Sequence, residues 1–251
     1  MSLTSKQEAL KQSLIATGEE WSQTWENILK LDSDYFEAYV GLRRVPRDKQ
    51  KLSIKVQELI LLASDAACTH LFVDGIQAHT AAALKAGASK EEILETLQLS
   101  SVLGVHAVTV GVPALLEVMK ENGRELDQTL DERKENLKEA FTKQRGYWST
   151  GWDPVLRLSP EFFEGYTKFS SVPFSEGHNA LDAKTKELIY VAIDCSTTHL
   201  FQVGLKLHIR NAMKYGATEF EIMEVFELAA LMGIQTTMKG ADALVEQLAK
   251  Q

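Results

Sequence analysis

The chain has 251 residues and a mass of 28.0 kDa, and its 45% apolar and 25% charged side chains support a packed core and exclude a mainly disordered chain. Acidic residues outnumber basic ones 35 to 27 with no basic stripe, so nucleic acid is not an expected partner. Two cysteines are too few for a disulfide scaffold, MSLTSKQEAL has no apolar signal core, and His106 and Glu117 interrupt the most apolar run, 100–118; a cytoplasmic protein with no membrane-spanning segment is expected.

Residues 13–29 place Leu14, Ile15, Trp21, Trp25, Ile28 and Leu29 near a 3.6-residue period, which predicts one helix. A short helix follows through DYFEAYVGL, with Ser33 or Asp34 as its cap. Ser53 opens a third, SIKVQELILLASDAA, with a broad apolar face. A turn or kink is expected near Cys68-Thr69-His70, where threonine could cap the next helix. That helix runs to Lys85 and ends at Gly87. Ser89 and Glu92 have the spacing of a capping box and open a helix over 93–103. A stop is expected near Asn122–Gly123, and the charged run 127–138 reads as the solvated face of the helix after it. No pair of alternating strands occurs, so the fold class is all-α.

The chain is an internal duplication. HLFVDGIQAHTAAALKAGASKEEILETLQLSSVLGV, from His70, aligns with HLFQVGLKLHIRNAMKYGATEFEIMEVFELAALMGI, from His199, at an offset of 129. Upstream the offset is 127, pairing Trp21 and Trp25 with Trp148 and Trp152, and Pro46 with Pro173; two extra residues lie within SEGHNA. The division falls into repeats 1–122 and 123–251, each with its own N-terminal helices.

Within each repeat a few polar residues sit where apolar ones are expected. His79 and His208 lie mid-helix in apolar surroundings, as core residues or as proton-transfer groups; an ordinary imidazole pKa of ~6.5 suits the second role. Glu58 and Glu187 lie on Leu- and Ile-rich helices, either as exposed charges paired with Lys55 and Lys184 or as half-buried relays whose pKa burial would raise. On a straight helix the 21 residues from Glu to His span roughly 31 Å. The two meet only if the chain folds back near 66–71 and 195–200. His70 and His199 fall at that turn, as backbone-bonding groups or as substrate-facing ones. No i, i+4 pair of metal ligands occurs, so no metal is expected. The tryptophan pairs read as packing groups or pocket lining, and Cys68 and Cys195 as small buried apolar residues.

The pattern K-x-x-E-L-I, then His, then (A/Y)-G-A-(S/T)-x-x-E-I-x-E, then Gly occurs twice and resembles the carboxymuconolactone decarboxylase family, whose superfamily includes the AhpD-type alkylhydroperoxidases. The match covers roughly 52–116 and 181–248. The resemblance implies an AhpD-like helical fold and a homo-oligomer, a trimer of tandem chains imitating a hexamer. It implies one of two chemistries: decarboxylation of a carboxylated lactone, or peroxide reduction by a Cys-x-x-Cys pair with a Glu–His relay. The relay carries over onto Glu58 and His79, and onto Glu187 and His208. The positions of the redox cysteines hold Phe72 and Gly75, and Phe201 and Gly204. The acid that decarboxylases often carry four before the His is replaced by the same two glycines. Gly-x-Pro stands as Gly104-Val105-His106 and Gly233-Ile234-Gln235.

The leading expectation is a cofactor-free acid–base lyase of the carboxy-lyase type, acting on a small organic acid or lactone. Glu187 and His208 are its leading catalytic pair, Glu58 and His79 the counterpart, with His70 and His199 orienting the substrate. A thiol peroxidase is the first alternative, opposed by the missing cysteines. A non-catalytic oligomer binding a small ligand is the second. A deep pocket holding Glu and His together favours the enzyme.

Overall fold

The computed structural model describes residues 2–145 and 148–251, and every regular element among them is a helix. Thr4 and Gln7 form a capping box that opens α1, Ser5–Ile15, and Ser22 caps α2, Gln23–Leu31. The single helix expected over 13–29 is therefore two: Gly18 takes φ 91°, a left-handed conformation that ends α1. Asp32 caps α3, Ser33–Lys49, which runs past the expected DYFEAYVGL segment and carries Pro46 into its last turn. Then come α4, Ile54–Ala66; α5, Val73–Lys85; and α6, Lys90–Ser101, which continues through a 3₁₀ turn into α7, His106–Glu121. The stop at Asn122–Gly123 is present, with Gly123 at φ 67°. The second repeat supplies α8, Glu132–Arg145; α9, Asp153–Leu158; α10, Pro160–Ser171; α11, Ala183–Cys195; α12, Gln202–Lys214; α13, Glu219–Ala230; and α14, Ile234–Leu248.

The chain reverses between α4 and α5, and between α11 and α12, at the expected places. Asp65 O accepts the Phe72 amide at 2.9 Å, and Asp194 O accepts that of Phe201 at 2.9 Å. Leu71 and Leu200 both take φ 50° to close these turns. The threonines do not cap the next helix; Phe72 and Phe201 hold the N-cap positions without a side-chain bond. Cys68 and Cys195 are not the buried residues expected: Cys68 is exposed and Cys195 half-buried.

Two compact units form, Met1–Leu97 with Leu181–Gln251, and Gln98–Ala180. They cut across the repeat boundary because the hairpins α4–α5 and α11–α12 pack together within the first unit, and α2 packs against α14. In α4 the nine residues Gln57 to Asp65 are all buried, so its polar members need partners inside the protein. The repeats supply them to each other. Glu95 on α6 accepts the Leu181 amide at 2.7 Å and pairs with the Lys186 ammonium at 2.6 Å. Glu224 on α13 accepts the Lys51 and Leu52 amides and the Gln57 side chain, each at 2.9 Å.

The second unit has its own small core, Phe141, Leu156 and Phe163, with Trp148 and Trp152 packed against it. The charged run 127–138 lies mostly at the surface, as expected, with Arg133 paired to Glu161 at 2.6 Å. One expectation is corrected. By length and composition alone the helical stretch Lys90–Glu121 is apolar enough to cross a membrane; an 18-residue window within it has a mean hydropathy of 1.8, and 6% of that window is buried. His106 and Glu117 are too few to dilute a window that long.

Glu95 and Lys186 are both about 97–98% removed from solvent, so deleting one leaves a stranded charge. Glu95→Ala should lose about 3–5 kcal/mol in chemical denaturation. A Glu95→Leu/Lys186→Met pair should recover only part of it, because the buried Leu181 amide still lacks its acceptor.

Candidate functional site

The fold-back brings the predicted pairs together. In the first repeat His79 Nδ1 donates to Glu58 Oε2 at 2.7 Å, and in the second His208 Nδ1 donates to Glu187 Oε2 at 2.6 Å. Lys55 is not the partner of Glu58; it reaches Glu92 at 2.6 Å, and Lys184 reaches Glu221 at 2.8 Å.

Sequence reasoning missed a second acid in each repeat. Asp65 follows Glu58 by seven residues on α4, and Asp194 follows Glu187 by seven on α11. Seven residues are about two turns, so each acid shares a helix face with its glutamate. That spacing, present in both copies, was the available signal. Asp65 Oδ2 lies 3.6 Å from His79 Nε2, and has no hydrogen-bond partner among the described residues. It stands under α5 where Gly75 lacks a side chain: a Cβ at Gly75 would overlap the Asp65 carboxylate, and one at Gly204 that of Asp194. The glycine four before the histidine thus admits a carboxylate from the neighbouring helix.

The electrostatics separate these acids. Burial would push Glu58 up, as the sequence reading expected, but the His79 hydrogen bond and charge and the Arg47 guanidinium outweigh it and bring its pKa down to about 2. Burial dominates at Asp65 and raises its pKa, against opposing pulls from His79, Gln235 and His70. Burial likewise lifts Asp194 to about 7, opposed by His208. His79 therefore lies between a committed carboxylate at Nδ1 and, at Nε2, an acid whose pKa burial raises.

Buried side chains fix this trio from both directions. Arg47 pairs with Glu58 and donates to Gln57 Oε1 at 2.9 Å, and Gln57 donates to Glu224 of the second repeat. On the far side Gln235 Nε2 donates to Asp65 Oδ1 at 2.7 Å, and His70 Nε2 donates to Gln235 Oε1. His70 thus acts behind the site through Gln235 and is not among the residues lining the cavity. His199 lies against Phe201 with the rings tilted by 38°, and burial lowers its pKa.

His79 and Asp65 open into a cavity of about 440 Å³. Trp21, Trp25, Tyr39 and Phe72 supply its aromatic wall, with Trp25 stacked on Tyr39 at 5.4 Å. The tryptophans of the first repeat are thus packing groups and pocket lining at once. The second repeat has diverged: Arg47 and Arg43 align with Phe174 and Ser170, and Gln235 with His106. There Asn211, aligned with Ala82, holds Glu187 Oε1 at 3.2 Å, and Tyr190 lies over His208 with ring centroids 4.5 Å apart. The structure assembles the more complete charge array around the pair that the sequence ranked second.

Comparison with known proteins agrees with the duplication. The model of the carboxymuconolactone decarboxylase family matches residues 33–121 and again 160–247. A crystal structure from Burkholderia xenovorans LB400, of a protein provisionally named a gamma-carboxymuconolactone decarboxylase subunit, is 42% identical. It covers 97% of this chain and 98% of its own, with a TM-score of 0.92. No curated protein matches the chain.

The two acids should leave opposite pH signatures. Glu58 falls from an ordinary 4.5 to about 2, so its stabilisation is present above pH 4.5 and lost as pH drops towards 2. Glu58→Gln should therefore cost about 3 kcal/mol near neutrality and little at the acid end. Asp194 rises from 3.8 to about 7, so its protonated form favours folding below pH 4 and the benefit is lost as pH rises through 7. Asp194→Asn should raise the melting temperature above pH 7 and leave it nearly unchanged near pH 4. Melting curves across pH that show a constant offset for both variants would contradict these assignments.

Proposed function

We propose that this chain, which belongs to the carboxymuconolactone decarboxylase family, is an acid–base lyase acting on a small organic acid or lactone in the cavity of its first repeat. The observation that carries this reading is His79, with Nδ1 anchored on Glu58 and Nε2 facing Asp65 at the cavity wall. Breaking a bond next to a carbonyl leaves an enolate that must take up a proton at carbon. Nε2 is placed to deliver it, because Glu58 fixes the ring and stabilises positive charge on it. Asp65 lies across a 3.6 Å gap, close enough to share the proton through a small movement or one water. His79 and Asp65 are the proposed proton carriers, Glu58 and Arg47 the groups that orient them.

Thiol chemistry is the weaker reading. Burial pushes the Cys195 thiol up to about 12, which keeps it protonated, and no cysteine stands beside Cys68 or Cys195 at Cys-x-x-Cys spacing. Assembly into a homo-oligomer, a trimer in the first instance, is part of the proposal. It is supported by α7, on which no residue is buried and Val110, Leu115 and Val118 are each about half exposed. Light scattering at micromolar concentration should give a mass above 28.0 kDa.

The chemistry is tested on isochroman-3-one and homophthalate, a lactone and an acid with protons next to a carbonyl. Wild-type protein in D2O should accelerate exchange of those protons in at least one of them, followed by NMR. His79→Ala should lower the rate about 10²–10⁴-fold, the usual scale of a general acid–base group. His208→Ala should retain most of it. Exchange that survives loss of His79 would refute the assignment.

A further inference from the structure

We propose that His70 is the proton-entry residue of the first repeat, passing protons between water and Asp65 from behind while a substrate fills the cavity in front. This rests on reading that cavity as the site of proton transfer, and it adds the step by which the site is reloaded.

A decarboxylation consumes one proton at each turnover. The carbon–carbon bond breaks, its electron pair stays on carbon as an enolate, carbon dioxide leaves, and the carbon takes the proton of His79 Nε2. That proton must be replaced from water. The His79 and Asp65 side chains are only 11% and 2% exposed, and both line the cavity that the substrate occupies. Against burial, His79 and Arg47 bring the Glu58 pKa down to about 2, so Glu58 holds no proton to give.

Asp65 has a second histidine behind it. His70 Nε2 lies 3.9 Å from Asp65 Oδ1, whereas His79 Nε2 faces Oδ2 at 3.6 Å. Gln235 braces the rear gap: it donates to Oδ1 at 2.7 Å and accepts from His70 Nε2. An amide neither gains nor releases a proton near neutral pH, so Gln235 sets the separation and His70 carries the proton. The turn after α4 fixes the ring. The His70 amide donates to Ala67 O at 2.8 Å, and the imidazole stacks on Phe72 with centroids 5.8 Å apart. The side chain is 20% exposed, and its Nδ1 makes no hydrogen bond among the described residues. Imidazole is the side chain suited to trading protons with water near neutrality. Of the titratable groups that act on Asp65, His79 and Glu19 line the cavity, and His70 stands outside it.

A hydronium ion or buffer acid protonates Nδ1. The imidazolium then gives its Nε2 proton to Asp65 Oδ1, after closing by about 1 Å or through one water, and is neutral again. A half-turn of the Asp65 carboxyl presents the proton to His79 Nε2 and restores the donor. Exchange with water returns His70 to its first tautomer.

Exchange between water and the His79 ring N–H, followed by NMR on protein with nitrogen-labelled histidine, tests this without a substrate. Ala78→Phe and, separately, Ala81→Phe take the substrate's place; both alanines are exposed residues on the cavity wall. The plugged proteins should keep exchanging. Adding His70→Gln should slow exchange about tenfold or more, although glutamine can still donate to Gln235. Added imidazole should restore it in proportion to its concentration. His199→Gln, at the same turn of the second repeat, should change nothing. Unslowed exchange in both plugged His70→Gln proteins overturns the inference. So does slowing by His70→Ala that His70→Gln cures, because the brace alone would then matter. With isochroman-3-one in D2O, His70→Gln should cut substrate exchange about tenfold, again with rescue by imidazole. If wild-type protein exchanges no substrate proton while His79 still depends on His70, this inference stands and the proton-transfer reading of the cavity falls.

Discussion

A carboxylate inside a helix that is buried on every side must find both a positive charge and a full set of hydrogen-bond donors, and Glu58 organises the first repeat around that need. Removing an ionised carboxylate from water costs several kcal/mol even after relaxation. His79 and Arg47 together overcome this so thoroughly that Glu58 stays ionised well below its ordinary range. Arg47 cannot be buried alone either, so it hands a second donor to Gln57. Gln57 in turn donates to Glu224, whose remaining capacity is filled by the Lys51 and Leu52 amides. Each partner solves one desolvation problem and creates the next, until the series ends on backbone groups that need a partner anyway. The result is a histidine whose orientation is set by atoms from two halves of the chain.

Asp65 is the departure from full pairing. One of its oxygens is held by Gln235, while the other faces His79 without a hydrogen bond. Leaving such an atom buried is costly, and burial answers by raising the pKa so that the neutral form becomes accessible. Two acids seven residues apart on one helix thus differ in character through their surroundings. Glu58 meets a guanidinium and an imidazole; Asp65 meets the imidazole and an amide. A pair of acids driven in opposite directions beside one histidine is the electrostatic pattern of a proton-transfer site.

Much of this was legible in the sequence. The helical class followed from apolar periodicity, capping boxes and glycine stops, and the Glu–His encounter followed from the duplication once a fold-back near residue 70 was required. The elements that escaped did so for physical reasons. The break at Gly18 lies inside an apolar pattern that continues on the other side, so periodicity bridges it. Cys68 lies in the turn after α4 and Cys195 is the last residue of α11, so neither inherits the burial of a helix interior. Asp65 looks like a surface charge at a helix end, because burial of the last turn of α4 depends on packing that no local pattern encodes. Arg47 and Gln235 are harder still. Arg47 comes from the end of α3, and Gln235 lies 170 residues from the acid it holds. Contacts of that kind belong to the assembled fold.

Tandem duplication also explains how the two sites could become different. In a ring of identical single-repeat subunits, the residue that reaches across to hold a neighbour's acid must be the same in every subunit. Joining two repeats in one chain removes that constraint. Gln235, in the second repeat, can then be selected for Asp65 of the first, while its counterpart in the first repeat is free to become His106. The same freedom applies to Arg47 against Phe174, and to Ala82 against Asn211. The reciprocal clasp resists such drift more strongly, since Glu95 and Glu224 each bind backbone amides of the opposite repeat. Both glutamates persist, while their side-chain partners have already parted into Lys186 and Gln57. The Glu–His pairs persist in both repeats as well, so the divergence falls on the side chains that brace those pairs, while Glu95 and Glu224 are held in place by backbone amides that have no alternative identity to mutate to.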